Sequence, residues 1–323
     1  MSTQALAPTD GSHRPPAPVA SRSGLLRSMA RRRRPLTLTA GLVLFLVFAW
    51  AAAGRAALFA QNEYEACVGL SSACDETISN QLNADSIVRY FQYSLIVLPL
   101  LVGVFVGAPL IAQELERGTH RLMLTQSFSR TRWLTAQLAV PAAVVATTAV
   151  GCSLAAAWVR AAARQTTAQN AWGRWEDRVY PTFGIVPVAS ALLALAVGVL
   201  VGVLVRRTLP AMGITLVVCA GLAALTRLVR PHLLPVRTWV GHGGYQLEGE
   251  VWMLRDGVVL KDGTWLPYDQ CPGPNPCRTG TVFEEYHSAD QFWPMQGVES
   301  ALLLACAAAA VAATYALLRR RSF

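Results

Sequence analysis

Lysine is almost absent from this sequence, and its one lysine is Lys261, within the run GVVLKDG. A phosphate-binding P-loop needs a lysine followed by serine or threonine, so the chain cannot be a P-loop ATPase by itself. The centres of its long apolar segments hold no aspartate, glutamate or histidine, although ion-coupled transporters usually need such residues in mid-membrane. No Ser-His-Asp or Cys-His arrangement is recognisable either. These absences argue against an ATPase, an ion-coupled transporter and a nucleophilic hydrolase.

Long apolar segments dominate what is present. Of the 323 residues, 53% are hydrophobic and only 15% are charged, and the mean hydropathy is +0.37. Crossing a hydrocarbon core of about 30 Å takes roughly 17 to 25 residues of helix, and a helix satisfies its own backbone groups in lipid. The sequence therefore predicts an all-α integral membrane protein with six transmembrane helices. The six windows are 36–53, 94–112, 137–158, 185–205, 209–226 and 300–318.

Arginine is distributed unevenly between the segments that connect these windows. The N-terminal segment, the segments 113–136 and 206–208, and the C-terminus together hold sixteen arginines against three acidic residues. Positive charge next to a span favours the cytoplasmic side. We therefore expect both termini to be cytoplasmic, held there by the basic clusters Arg31 to Arg34 and Arg319 to Arg321.

The same pattern divides the chain into four parts. Residues 1–30 are rich in proline, serine, alanine and arginine and are predicted to form a disordered cytoplasmic tail. Residues 31–229 are predicted to hold transmembrane helices 1 to 5, with a cytoplasmic loop at 113–135. An extracytoplasmic region follows at 230–296, and residues 297–323 hold helix 6 and the basic C-terminus.

The extracytoplasmic region combines short Val, Trp and Leu runs with two Asp-Gly pairs, Asp256-Gly257 and Asp262-Gly263. Because Asp-Gly favours tight hairpin turns, these runs predict a small β-meander. The histidines of this region, His232, His242 and His287, match no metal-ligand spacing and are expected to be solvated. Trp172, Trp175 and Tyr180, in the preceding outside loop, are expected to lie at the water–lipid boundary.

Four of the seven cysteines fall in the segments predicted to lie outside. Disulfides persist on the oxidising side of a membrane, so Cys67, Cys74, Cys271 and Cys277 are candidate disulfide partners. Spacing alone does not fix their connectivity, and four unpaired thiols remain the alternative.

Two glycine pairs have the GxxxG spacing that lets membrane helices approach closely. Gly103 and Gly107 lie in window two, and Gly198 and Gly202 in window four. We interpret both as candidate contact faces between helices.

The stretch AQELERGTHRLMLTQSFSRTRW, residues 112–133, is polar although it links two apolar windows. Gly118 can end the preceding helix, and Thr119 can cap a short helix that displays Leu122. An apolar centre between charges of both signs indicates a docking surface. A solvated loop whose arginines only fix the topology remains the alternative.

This stretch resembles the first cytoplasmic loop of ABC-2 type ABC transporter permeases, in which an acidic pair, Gly-Thr, a short helix and Ser-Arg lead into the third span. The residues that carry the resemblance are Glu114, Glu116, Gly118, Thr119, Ser129 and Arg130. The resemblance implies that the loop couples the membrane domain to an ATPase. The expected coupling residues are Gln113, Glu114, Glu116, Arg117, Gly118, Thr119, Leu122, Ser129 and Arg130.

The resemblance also implies the partners and the activity. A separate cytoplasmic ABC ATPase would bind the loop and hydrolyse the ATP, and a second permease subunit would complete a homodimer or heterodimer. This chain would itself be non-catalytic, without a cofactor or metal, and would contact membrane lipids rather than nucleic acid. It would lie in the plasma membrane as a multi-pass protein and export a lipid-like, peptide or drug-like compound.

Two other functions remain open at this point. The chain could be a membrane-anchored sensor or scaffold whose region 230–296 binds a ligand or a protein. It could also be an integral-membrane enzyme with its site in that region. A neighbouring gene for a P-loop ATPase would favour the permease.

Overall fold

The computed structural model describes residues 34–68, 75–116, 130–165, 173–241, 250–271 and 281–320, with the backbone alone described for 61–68, 75–83 and 130–133. The predicted tail at 1–30 lies outside the described residues. The same holds for the middle of the predicted cytoplasmic loop, residues 117–129.

Six helices are long and apolar enough to cross a membrane, which confirms the predicted helical membrane fold. We number these spans 1 to 6 in chain order. Their ranges are Arg34–Ala60, Ala84–Glu116, Leu134–Ala163, Val186–Val205, Thr208–His232 and Ala289–Arg320. The helices that contain them are Arg34–Val68, Asp75–Leu101, Ala108–Glu116, Arg130–Ala163, Val186–Val205, Thr208–Val229 and Phe292–Arg320.

Span 2 is interrupted by a π-helix, Val102–Gly107, between its two α-helical parts. Pro99 and Pro109 lie on either side of this segment. Neither proline has an N–H group, so the α-helical hydrogen-bond ladder is broken at both places. Widened turns of this kind accommodate such breaks without ending the helix.

Spans 2 and 4 pack through their glycines, as the two GxxxG pairs predicted. A Cβ atom added to Gly107 would lie 2.7 Å from the carbonyl oxygen of Leu195, and one added to Gly202 would lie 2.7 Å from that of Ala108. The backbones are therefore closer than any larger residue would allow. Span 4 is the central helix of the bundle, with 67% of its apolar window buried, against 6% for span 1.

The region between spans 5 and 6 forms a four-stranded antiparallel sheet, in the order β1-β4-β2-β3. The strands are Arg237–Gly241 (β1), Trp252–Val259 (β2), Trp265–Pro267 (β3) and Thr281–His287 (β4). The predicted meander is wrong in its strand order, because β4 lies between β1 and β2. The three residues of β3 form a short edge, whereas the seven residues of β4 pair along both neighbours.

Of the two predicted Asp-Gly turns, one is confirmed. Gly263 has a φ of +85°, and Asp262 accepts a hydrogen bond from the Thr264 amide at 2.9 Å, which closes the β2–β3 hairpin. The other prediction is wrong, because Asp256 and Gly257 lie within β2. Gly257 is needed there for a different reason: a Cβ atom would lie 2.7 Å from the ring of Phe283, which is buried on β4.

The cysteines are described only in part. Cys271 is disulfide-bonded, while Cys67, Cys74 and Cys277 lie outside the residues whose side chains are described. Which of the four candidate cysteines pair with one another therefore stays a prediction. Cys152, Cys219 and Cys306, all within spans, carry free thiols.

The glycine contact predicts the effect of a single added side chain. Gly198→Val places a Cβ against the carbonyl oxygen of Gly103 and the Ala108 amide, and overpacking of this kind costs about 1–3 kcal/mol. We expect Gly198→Val to have a lower melting temperature than the wild type in detergent. The measurement is size-exclusion chromatography of samples heated to a series of temperatures. The control is Gly213→Val, since nothing lies within 4 Å of a Cβ at Gly213; equal losses for the two variants would contradict the prediction.

Candidate functional site

The end of span 2 carries the acidic pair of the predicted coupling loop. Glu114 and Glu116 lie in the last turn of the helix Ala108–Glu116. A helix C-terminus is the negative end of the helix dipole, so carboxylates there need partners. The structure provides each with a hydrogen-bond donor from another span.

Glu114 connects span 2 to span 3. Its Oε1 accepts a hydrogen bond of 2.6 Å from Nε2 of Gln137, a side chain that is buried. Directly beside this contact, an apolar cluster joins spans 2, 3, 4 and 6; its buried members are Leu110, Ile111, Leu134, Val199, Val203 and Leu318. The acidic residue is therefore fixed to the packed part of the bundle.

Glu116 connects span 2 to the start of span 5. Its Oε2 accepts hydrogen bonds from the Thr208 amide at 3.0 Å and from the Thr208 hydroxyl at 2.7 Å. The first amides of a helix lack partners within the helix, and a carboxylate there satisfies one and favours the helix dipole. Spans 4 and 5 are joined by only Arg206 and Arg207, and Arg206 takes a left-handed conformation with a φ of 59°.

The structure thus describes only part of the predicted coupling residues. Gln113 is exposed, Glu114 and Glu116 are placed as above, and Arg130 begins the helix of span 3. The remaining five lie outside the described residues: Arg117, Gly118, Thr119, Leu122 and Ser129. Sequence reasoning missed Gln137 and Thr208, because a lone glutamine or threonine near a span end gives no signal of its partner.

The opposite end of the bundle, which carries the sheet and is called the sheet end below, holds a buried ion pair. Arg230 at the end of span 5 donates to both carboxylate oxygens of Glu299 in span 6, at 3.0 and 3.1 Å. The two side chains are 5% and 4% exposed. The guanidinium also lies 4.1 Å from the ring centroid of Tyr180. The sequence placed Glu299 just before span 6, whereas the observed helix begins earlier.

Gln296, one turn before Glu299, fixes the start of span 4. Its Oε1 accepts a hydrogen bond from the Ile185 amide at 2.8 Å, and its Nε2 donates to the carbonyl oxygen of Phe183 at 3.0 Å. The buried amide is thus satisfied on both sides, as a polar group in an apolar interior must be.

Aromatic rings join the sheet to the spans. Trp175 stacks on Tyr180, Trp252 and His287 at centroid distances of 5.7 to 6.1 Å. Trp175, Tyr180 and His287 are buried, so the expectations of an interfacial position for these two rings and of a solvated His287 are wrong. His232 is exposed, as expected. Trp172 and His242 lie outside the described residues. Burial raises the pKa of Tyr180, and the negative charge of Glu299 adds to this.

A second carboxylate, Glu250, holds the sheet to span 3 and to the loop between spans 3 and 4. It pairs with Arg160 at 3.2 Å and accepts a hydrogen bond of 2.6 Å from the Arg174 amide. Its own carbonyl oxygen accepts a hydrogen bond from the indole N–H of Trp175 at 3.1 Å. Among the described residues, no group of three His, Cys, Asp or Glu side chains could hold a metal ion.

Residues 38–230 match the family described as ABC-2 membrane transporter related. The chain belongs to this family. No curated protein and no solved structure matches it. The family match and the six apolar helices confirm the resemblance to ABC-2 type permeases and make the chain a multi-pass protein of the plasma membrane. The matched range covers spans 1 to 5 except the first four residues of span 1 and the last two of span 5, while the sheet and span 6 lie beyond it.

The buried Arg230–Glu299 pair predicts that removing one of its two charges destabilises the permease much more than removing both. Glu299→Gln leaves the charge of Arg230 buried without its counter-charge, which costs about 3–5 kcal/mol of unfolding free energy. The double variant Arg230→Met, Glu299→Leu removes both charges and is expected to recover most of that loss. Thermal unfolding in detergent measures both.

The control for this pair is Asp290→Asn, which breaks the exposed ion pair with Arg237. Because exposed pairs contribute little, we expect no measurable change. A Glu299→Gln protein as stable as the wild type would show that the Arg230–Glu299 contact does not stabilise the fold.

Proposed function

We propose that this permease is the membrane subunit of an ABC transporter that exports a lipid-like, peptide or drug-like compound. Its energy comes from a separate cytoplasmic ATPase that docks on residues 113–130. The observation that carries this proposal is the pair of contacts from Glu114 and Glu116 to spans 3 and 5. A force applied to the docking loop therefore reaches three spans directly.

The path for that force continues along span 2. The π-helix Val102–Gly107 lies between the acidic end and the rest of the span, and its Gly103 and Gly107 contact span 4. A widened turn tolerates local rearrangement more readily than a regular α-helix. We infer that the acidic end moves as a unit with the starts of spans 3 and 5, while the π-helix takes up the change in geometry.

The remaining features of the assembly follow from charge and exposure. The arginine clusters favour the cytoplasmic side for both termini and the 113–130 loop. The sheet would then face outward, where disulfide bonds are stable. Span 1 exposes large apolar side chains, among them Leu38 and Phe45. In a membrane these contact lipid or a second permease subunit.

The charge of the acidic pair can be tested separately from its hydrogen bonds. In the double variant Glu114→Gln, Glu116→Gln, each side chain keeps an oxygen that accepts from Gln137 or Thr208, but both negative charges are lost. We expect normal membrane insertion and a several-fold loss of ATPase co-purification, because charge complementarity steers and orients docking. The measurement is co-purification with a co-expressed ABC ATPase from the same genome, followed by ATP hydrolysis with and without the permease.

The control is the double variant Glu176→Gln, Asp290→Asn, which removes two exposed negative charges at the sheet end. It should bind the ATPase as the wild type does. If the wild-type permease neither binds nor stimulates a folded, active ATPase, the transporter proposal is overturned, and a sensor or scaffold using region 230–296 becomes the better interpretation.

A further inference from the structure

A cavity of about 590 Å³ opens between spans 2, 4, 5 and 6 near the sheet end. Its walls are almost entirely apolar and include Ile96, Leu193, Leu222 and Leu303. The cavity is open to the surroundings of the bundle, because several of its lining residues, among them Val97 and Leu228, are exposed. Its volume lies within the range of about 300–1,000 Å³ that small-molecule sites occupy.

One end of the cavity is charged. The Arg230–Glu299 pair lies in its wall, and Arg227, one turn earlier on span 5, lines it as well. The buried pair is neutral as a whole, whereas Arg227 is exposed and forms no ion pair with any residue that the structure describes. The lining therefore carries two arginines against one glutamate, a net charge of +1.

The cavity also borders the part of span 2 that leads into the π-helix. Pro99 and Leu100 line it, directly before Val102. An occupant would contact span 2 on the side of the π-helix opposite to the acidic end. Occupation of the cavity and movement of the docking loop thus act on the same helix.

We propose that this cavity binds an anionic amphiphile with a single alkyl chain. The chain fills the apolar walls, and the anionic head pairs with Arg227, whose planar guanidinium suits carboxylate, sulfate and phosphate oxygens. The Arg230–Glu299 pair stays intact and presents a polar wall to the head. That this amphiphile is the transported compound rests on the export function proposed above; its binding does not.

The test uses the full-length permease without any ATPase, in nanodiscs of phosphatidylcholine, which has no net charge. The probe is hexadecyl sulfate with a diazirine on its chain, an anion at every working pH, and the matched neutral probe is the corresponding alcohol. Photolabelling is measured against probe concentration, and labelled residues are mapped by mass spectrometry. We expect the sulfate to label cavity-lining residues of spans 2 and 5 with about tenfold higher apparent affinity than the alcohol.

Two variants separate the head group from the chain. Arg227→Gln should bring the affinity for the sulfate down to that for the alcohol. Ala223→Trp, which fills the cavity from span 5, should suppress labelling by both probes. The controls are Arg255→Gln, an exposed arginine on the sheet, and Gly221→Trp, since nothing lies within 4 Å of a Cβ at Gly221; both should label as the wild type does.

Equal labelling by sulfate and alcohol would overturn the choice of an anionic ligand. Labelling that Ala223→Trp leaves unchanged, or that maps to other surfaces, would overturn the cavity as the site. Because no ATPase is present, either failure leaves the co-purification test of the transporter unaffected. Conversely, binding here with no ATPase association would leave the site standing and remove only its role in export.

Discussion

The close backbone contact between spans 2 and 4 is the constraint on which the other contacts of this permease depend. Four glycines, Gly103, Gly107, Gly198 and Gly202, let the two helices approach until a Cβ atom would collide with backbone atoms of the partner. In lipid, helix association rests on such packing, because the tails of lipids are as apolar as the side chains. Span 4 thereby becomes the buried centre, and span 2 packs along it. From this position the acidic pair reaches spans 3 and 5, and Pro99 and Leu100 reach the cavity.

Polar contacts then fix the relative positions of elements that apolar packing alone would not determine. Arg230–Glu299 connects spans 5 and 6, and Gln296 connects span 6 to the start of span 4. Glu250 connects the sheet to span 3 and to the loop between spans 3 and 4. Each polar group is costly to bury unless it is satisfied, so each pairing admits few alternative arrangements. The sheet end is therefore more rigidly held than a loop of this length between two spans would be. A sheet held in this way is better suited to shaping one wall of the membrane domain than to moving as an independent receptor.

Apolar length and glycine spacing were enough to predict the six helices and the contact faces of spans 2 and 4, since both signals are local in the sequence. The sheet order was not predictable, because β4 pairs with strands that lie 22 or more residues earlier in the chain. Asp256-Gly257 has the same local signal as Asp262-Gly263, yet Phe283 of β4 requires the first pair to be extended. The start of span 6 was predicted too late for a related reason. A charged residue such as Glu299 lowers the mean hydropathy of its segment, although Arg230 neutralises that charge in the fold.

The family match ends in the wall of the cavity. It stops at residue 230, so it includes Arg230 but not Glu299, Gln296 or the sheet. The acidic end of span 2 packs against matched spans and against apolar side chains of span 6. The cavity is different, because its charged wall joins the last matched residue to a glutamate beyond the match. Under the function proposed above, the ATPase would dock at the acidic end of span 2, whereas the proposed ligand would be held at the opposite end of that span. The proposed ligand site is therefore built from residues on both sides of the boundary of the family match.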